Sequence, residues 1–449
     1  MIEAILYSSC FLILFLYIYL VLKNSNNNLL VIGAIFGLIY FNILPFLVFL
    51  LNDGSEGLII DSTSKWAIYN HILENHFNNL YYFISLLIMV FSIHIYSVIF
   101  KQKQIGQEKD SNISTIGTST IGIIFILLLF FKESLIPEDI THWAKRAEYF
   151  NEHYGFFANI YSFILIGIKY LILVLSHNLF RSNFNFAVLF LLMIAILDTL
   201  ITSNRIFFLV CGIVIFYNMI VFKKYKFLII GFIFSIPLIF LMSIWPYVRA
   251  ISSEMSLIDA LVKGINNFEL STNIFNYIIF SATEGADFLV SYTMLIDIPN
   301  NNDYLYGSTI FKIFTYFIPR SIWEDKWESI ALVAAQRYDN NLEGFSLNTT
   351  FLGEAYANFG LVGIFVFTLF ILIVLHYMNL FLNRLKFIKL NLDILFFAII
   401  FQTMRANFSD IFLIVINLTI LLMLYSLIKS FLKKFNNRRK EGEKTLITT

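Results

Sequence analysis

Five arginines are the first candidates for chemistry, because most of them lie where an apolar run of the sequence begins or ends. A guanidinium group stays charged and offers a planar fork of donors that matches phosphate oxygens. We interpret these residues as a clamp for a phosphate-bearing headgroup. The alternative is that each one snorkels to ordinary lipid headgroups or pairs with a nearby acid. The five are Arg205, Arg249, Arg320, Arg337 and Arg405.

A second candidate is the segment 353–360, which reads Gly-Glu-Ala-Tyr-Ala-Asn-Phe-Gly. The carboxylate of Glu354 could accept a hydroxyl proton, and Tyr356 and Asn358 could hydrogen-bond a sugar. The alternative is structural, because a glutamate near a helix N-terminus is favoured by the helix dipole and glycines permit close helix packing. The segment alone leaves both interpretations open.

The elements that must position these residues are membrane helices. Of the 449 residues, 59% are hydrophobic and 14% are charged, whereas soluble domains contain about 25% charged residues. The net charge of +1 argues against a nucleic-acid partner. Two cysteines, Cys10 and Cys211, cannot build a disulfide framework or a zinc site. Without a phosphate-binding loop or a metal-binding motif in the sequence, we expect no cofactor and no obligatory metal.

Eleven apolar segments are predicted to cross the bilayer, since a helix needs about 20 residues to do so. Lysine and arginine are concentrated in the connections near 101–109, 223–226 and 384–389. By the positive-inside rule these connections are cytoplasmic, and the N-terminus lies outside. The segments are 4–22, 29–51, 80–100, 116–131, 156–176, 186–202, 206–222, 227–245, 359–380, 390–404 and 411–429.

This topology divides the chain into four parts. Residues 1–245 contain helices one to eight, 246–350 form a large loop on the outer side, 351–432 contain helices nine to eleven, and 433–449 form a basic cytoplasmic tail. Apolar residues recur at helical spacing over 255–265, and the apolar run 310–318 is followed by Trp323 and Trp327. Because tryptophan favours the membrane interface, we expect the loop to lie on the bilayer.

Two further charges lie inside predicted helices. Lys169 is in the fifth helix and Asp198 is in the sixth. We expect Lys169 either to snorkel or to pair with Asp198, and we rank a direct substrate role lower. Asp198 is also a candidate to orient Arg205.

Several of these motifs resemble the bacterial O-antigen polymerase family (Wzy-type), also called oligosaccharide repeat-unit polymerases. The resemblance covers roughly residues 195–415, and the first half of the chain is only generically similar. The matching elements are an Asn-Arg pair at 204–205, Tyr-Leu-Tyr-Gly at 304–307, Phe-Ile-Pro-Arg-Ser-Ile-Trp at 317–323, the segment 353–360 and an arginine at 405.

The resemblance implies an all-α, GT-C-like bundle of about eleven transmembrane helices in the bacterial inner membrane, with its active site facing the periplasm. It implies transfer of an undecaprenyl-pyrophosphate-linked glycan to the non-reducing end of an incoming lipid-linked repeat unit, as in lipopolysaccharide biosynthesis. Arg205, Arg320 and Glu354 take the catalytic roles, and Arg249, Arg337, Arg405, Tyr356 and Asn358 bind substrate. A chain-length regulator, a flippase and membrane lipid are the further expected partners.

Two rival functions are a ligase of the same architecture and a transporter of another class, and a polymerase for a capsule or another surface glycan stays open as well. An O-antigen ligase would need a histidine in the catalytic loop, and residues 246–350 contain none. A flippase or another transporter of lipid-linked oligosaccharides would place its binding charges near the midplane of the bilayer. We expect the arginines at the outer edge, and this expectation favours an enzyme.

Overall fold

In the residues that the computed structural model describes, the regular elements are helices, and there is no strand. The predicted all-α class is therefore confirmed for the part of the chain that is described. The described residues are 2–24, 28–51, 78–100, 115–137, 140, 143–202, 205–224, 226, 237, 239–245, 248, 251, 257–268, 274–315, 318, 323, 327–338, 347–384, 392–405, 407–408, 412–420 and 423.

The helices are numbered here in chain order, and a π-helical turn at Ile39–Ile43 lies inside α2. They are α1 (Ile2–Asn24), α2 (Leu29–Leu51), α3 (Asn78–Ile99), α4 (Thr115–Ser134), α5 (Trp143–Ser182), α6 (Phe184–Thr202), α7 (Ile206–Val221), α8 (Leu257–Phe268), α9 (Ile274–Ala282), α10 (Gly285–Asp297), α11 (Ser308–Thr315), α12 (Ile330–Tyr338), α13 (Phe351–Arg384), α14 (Asp393–Thr403) and α15 (412–420).

Seven helices, α1 to α6 and α13, are long and apolar enough to cross a membrane, so the chain is a multi-pass membrane protein. They correspond to the first six predicted segments and to the ninth. Helices α7 and α14 are apolar but have only 16 and 11 residues, or about 24 and 16 Å at 1.5 Å per residue. The predicted segments 227–245 and 411–429 are described only in part, and the total of eleven crossings stays a prediction.

Polar contacts join helix ends at one end of the bundle. Asn28, at the start of α2, donates to the carbonyl of Phe100 just beyond α3, at 3.4 Å. Asn379, near the end of α13, donates to Asp393 at the start of α14, at 2.8 Å. Helices α2 and α3 therefore run in opposite directions, and so do α13 and α14, as the predicted topology requires.

The large loop is more deeply embedded than the sequence suggested. Its predicted helical stretches correspond to α8 and α11, but α9 and α10 form a hairpin whose second arm is buried along its whole length. Phe288 and Tyr292 of α10 pack against Phe49 of α2, with ring centroids 5.9 and 5.4 Å apart. The expectation that this loop lies on the bilayer is therefore wrong for α10. Its hydroxyl side chains bond within their own helix, for example Thr293 to the Leu289 carbonyl, so the whole helix can be buried.

Helix α13 consists of two arms that meet at a sharp bend. Gly360 has φ 63° and ψ −148°, a combination that is essentially restricted to glycine. A Cβ at Gly363 would lie 2.1 Å from the Ala355 carbonyl oxygen, so the two arms are in close contact across the bend. The short arm 351–358 therefore precedes the long arm 361–384, and the bend agrees with the predicted start of the ninth crossing at 359.

Candidate functional site

The two best-placed arginines meet at the turn of the α9–α10 hairpin. Arg205, between α6 and α7, lies 2.7 Å through Nε from Oε1 of Glu284. It also donates through Nη2 to the Ser281 carbonyl at 3.0 Å, and through Nη1 to the Met242 carbonyl. Three different partners therefore fix this guanidinium in one orientation.

Arg405 approaches the same carboxylate from the end of α14. Its Nη2 lies 3.6 Å from Oε2 of Glu284, and its Nε lies 3.2 Å from Oδ2 of Asp287. Residues far apart in sequence therefore share one ion-pair network. We call Arg205, Glu284, Asp287 and Arg405 the arginine–carboxylate cluster.

The cluster is mostly buried and formally neutral. The exposed fractions of its four side chains lie between 11% and 19%. Burial opposes the charge of Arg205, and the adjacent Glu284 carboxylate offsets part of that cost. An arginine guanidinium stays charged at physiological pH. An anionic ligand would have to compete with the two carboxylates already present.

The cluster lies level with the middle of α2. The Tyr40 hydroxyl donates to the Ala282 carbonyl at 2.7 Å, two residues before Glu284. Tyr40 is eleven residues from either end of α2, Leu29 to Leu51, and it lies within the π-helical turn. The sequence placed Arg205 and Arg405 at the outer edge of the membrane. Their depth in a bilayer stays a prediction, because Arg205 follows α6, which is long enough to cross, whereas α7 and α14 are shorter than the roughly 20 residues that a crossing needs.

Mostly buried charged groups need polar partners from the protein or from water. Here the protein supplies two carboxylates and two carbonyl groups from the hairpin and from residue 242. A π-helical turn in α2 adjoins the site, and such turns occur frequently at functional sites. The arrangement can hold an anion near two fixed cations or pass a proton to a carboxylate.

Glu354 does not join the cluster among the described contacts. Its side chain is 1% exposed, and Oε2 accepts a hydrogen bond from the backbone N–H of Phe408. That bond ties the short arm of α13 to the chain after α14. The contact with Phe408 gives Glu354 a packing role, and its role as a base stays a prediction.

Tyr356 and Asn358 are likewise buried and engaged by the protein. The Tyr356 hydroxyl donates to the Ile298 carbonyl at 2.8 Å. Asn358 donates to Thr309 at 2.9 Å and accepts from the backbone N–H of Gly307 at 2.9 Å. Both side chains hold the segment 298–309 against α13, so the structural interpretation of 353–360 is the one that the contacts favour.

Of the remaining predicted arginines, only Arg337 lies among the described residues. Arg337 lies on α12 and donates through Nη2 to the Asp303 carbonyl at 3.3 Å. Arg249 and Arg320 lie outside the described residues. Of the five predicted arginines, two therefore meet in the cluster, one lies on α12, and two lie outside the described residues.

Lys169 pairs with Asp198, as one of the two sequence alternatives predicted. Lys169 Nζ lies 2.7 Å from Oδ1 of Asp198, whose side chain is fully buried. Because Asp198 is paired with Lys169, its predicted role in orienting Arg205 is not seen in these contacts. The lysine also lies 5.3 Å from the ring centroid of Phe207, two residues after Arg205.

Sequence reasoning missed Glu284 and Asp287. The available signal was an acidic residue between two apolar helical runs, in Thr-Glu-Gly at 283–285. Within the described residues, no three histidine, cysteine or acidic side chains come together to hold a metal ion.

Comparison with protein-family models, curated proteins and solved structures finds no match to this chain. What the fold and the site define is an all-helical, multi-pass membrane protein with a buried ion-pair cluster.

Proposed function

We propose that the chain is a polysaccharide polymerase of the repeat-unit type, a glycosyltransferase with a polyprenyl-pyrophosphate-linked donor. The observation that carries the proposal is the meeting of Arg205 and Arg405 on Glu284. These two arginines are the ones that both the sequence motifs and the geometry select. Two oriented guanidiniums in a low-dielectric site suit the charge that develops on a departing pyrophosphate.

The reaction needs little beyond these groups. The acceptor hydroxyl oxygen bonds to the anomeric carbon of the donor, and the bond from that carbon to the pyrophosphate oxygen breaks. The lipid pyrophosphate leaves with the electron pair, next to Arg205 and Arg405. We assign the hydroxyl proton to a carboxylate of the cluster, Glu284 or Asp287, in place of Glu354.

The rest of the proposal follows the sequence motifs. The GT-C-like architecture, the bacterial inner membrane, the periplasmic active site and the undecaprenyl carrier are expectations from the family resemblance. The catalytic role of Arg320, the substrate-binding roles of Arg249 and Arg337, and the chain-length regulator and flippase as partners are likewise expectations from the sequence.

A transporter of lipid-linked oligosaccharides is the second candidate, and one observation favours it. The cluster lies level with the middle of α2 and is reached by a hairpin and by short helices. Transporters commonly bind substrate near the midplane with discontinuous helices. The same geometry therefore suits an enzyme with a deep site and a carrier with a central one.

Reconstitution separates the two candidates. Lipid-linked oligosaccharides extracted from a deletion strain would be supplied to proteoliposomes that contain the purified protein. We expect products longer by whole repeat units. Movement of unchanged substrate between leaflets, without elongation, would favour the transporter and overturn the polymerase.

Conservative variants connect the activity to the cluster. Arg205→Lys and Arg405→Lys keep the charge but lose the planar fork, and we expect elongation to fall about tenfold to a hundredfold. Arg146→Lys is the matched control, because Arg146 pairs with Glu133 at 2.7 Å away from the cluster. If the two cluster variants were as active as Arg146→Lys, the cluster would have no part in the mechanism.

A further inference from the structure

Tyr306 combines an unfavourable backbone conformation with an exposed ring. Its φ angle is +47°, in the left-handed region, which costs a residue with a side chain of this size appreciable free energy. Its side chain is nevertheless 68% exposed, so burial of the ring does not offset that cost. Residues of this kind persist only where their surroundings fix them, and they cluster at functional sites.

The surroundings that fix Tyr306 belong to the short arm of α13. The backbone N–H of Leu305 donates to the Ala357 carbonyl at 2.9 Å, and that of Tyr306 donates to the Asn358 carbonyl at 3.2 Å. The Asn358 side chain accepts from the N–H of Gly307 at 2.9 Å. Consecutive hydrogen bonds therefore clamp the segment 304–307 and present the ring of Tyr306 outward.

Two aromatic rings adjoin the presented ring, and polar residues lie close to it in the chain. Its centroid lies 6.5 Å from that of Phe359, which is 44% exposed, and 6.1 Å from that of Tyr304. The exposed residue Asp303 precedes this segment, and Arg337 donates to its carbonyl at 3.3 Å. A rigid aromatic surface next to a carboxylate and a guanidinium has the composition of a sugar-binding site, because the C–H face of a pyranose packs on the ring while its hydroxyls bond to the polar groups.

We propose that Tyr306 and Phe359, with Asp303 and Arg337 at the edge, form a glycan-binding platform separate from the arginine–carboxylate cluster. The inference rests on the proposed function, since it gives the growing or incoming glycan a second place to bind. Tyrosine suits this role because it supplies contact area at a small cost in conformational entropy.

Lipid is the competing occupant of exposed aromatic rings, and the neighbours of Tyr306 disfavour it. Residues 300–303 read Asn-Asn-Asn-Asp, and Asn300, Asn301 and Asp303 are exposed. Burying that carboxylate and those amides in hydrocarbon would be costly. Phe275 on α9 is a contrasting case, since it is 69% exposed on a largely apolar helix.

The binding test uses full-length protein in nanodiscs and the repeat-unit oligosaccharide released from its lipid by mild acid. We expect Tyr306→Ala to weaken binding about tenfold and Tyr306→Phe to stay close to wild type. Phe275→Ala, matched in exposure, should bind like wild type. Wild-type binding by Tyr306→Ala, or no binding by the wild-type protein, overturns the platform.

Tyr306→Gly separates a binding role from a structural one. Glycine adopts the left-handed conformation without strain, so this variant should melt at a higher temperature than wild type and still bind the oligosaccharide about tenfold more weakly. A variant that melts lower would show that the ring supports the fold, and the proposal would fail.

Solvent contact distinguishes glycan from lipid as the occupant. A spin label at Tyr306→Cys, with Cys10 and Cys211 replaced by serine, should be relaxed by a water-soluble nickel chelate, whereas a label at Phe275→Cys should respond to oxygen dissolved in lipid. A lipid-type response at 306 would overturn the platform. The elongation assay tests the proposed function separately. If the wild-type protein elongates its substrate but does not bind the free oligosaccharide, the platform is wrong and the polymerase function still stands.

Discussion

Two regions of this protein carry polar residues in similar surroundings, but they use them differently. In the arginine–carboxylate cluster, charges from the α6–α7 connection, the α9–α10 hairpin and the end of α14 face one another. In the segment 353–360, the side chains of Glu354 and Asn358 bond mainly to backbone groups of the same bundle. The first region holds charges together, and the second holds chain segments together.

This difference shows which polar residues are available for chemistry. A glutamate that satisfies a buried N–H has its position fixed by the fold, and its loss is felt as instability. Arginines that share a carboxylate are fixed relative to each other, and that relative position is what a bound anion would need. A segment rich in polar residues was therefore a poorer guide to the functional site than contacts between charged residues that lie far apart in the sequence.

The largest effect should come from removing the shared acid. Glu284→Ala leaves two mostly buried guanidiniums with one carboxylate between them, and we expect unfolding to become easier by about 3–5 kcal/mol. Thermal unfolding in detergent, followed by size-exclusion chromatography, measures the change.

Glu284→Gln is the matched control for that substitution. It keeps an acceptor oxygen for Arg205 and should lose less stability than Glu284→Ala. If both variants melt like wild type, the cluster does not stabilise the hairpin, and the contrast between the two regions disappears.

A smaller effect should follow from adding a methyl group at the bend of α13. In Gly360→Ala the new Cβ would meet the Tyr304 hydroxyl at 2.8 Å with φ at +63°, and we expect a loss of about 1–3 kcal/mol. Gly212→Ala is the control, because no atom lies within 4 Å of its added Cβ. If the two variants melted at the same temperature, the sharp bend of α13 at Gly360 would be contradicted.

The smallest effect should come from one hydroxyl group of the segment 353–360. Tyr356→Phe removes the donor to the Ile298 carbonyl, and we expect a loss of about 1 kcal/mol with elongation activity retained. Tyr377→Phe, whose ring is 58% exposed on the same helix, should change neither quantity. If Tyr356→Phe lost activity but kept its stability, the substrate-binding role predicted for Tyr356 would be supported and its packing role contradicted.

Much of the fold follows from the sequence because membrane helices are selected by local composition. Continuous apolar runs predicted the seven long helices, and the pairing of Lys169 with Asp198 was one of two alternatives for an intramembrane charge. The burial of α10 was not predicted, because its hydroxyl residues look polar in sequence but are satisfied within the helix.

The site was less predictable because its partners are distant in sequence. Arg205 lies 79 residues from Glu284, and no local pattern connects them. The arginines were selected for their position at helix ends, whereas the acids that hold them were overlooked. Glu354 was selected for its motif, and only the contact with Phe408 shows its packing role.

The proposed polymerase function assigns the transfer to the arginine–carboxylate cluster and not to Glu354. The most direct measurement compares the polysaccharide ladders of a deletion strain complemented with Arg405→Lys or with Glu354→Gln, at equal protein levels in the membrane. We predict that Arg405→Lys leaves mainly single repeat units and that Glu354→Gln restores long chains. Long chains with Arg405→Lys and single units with Glu354→Gln would contradict the account.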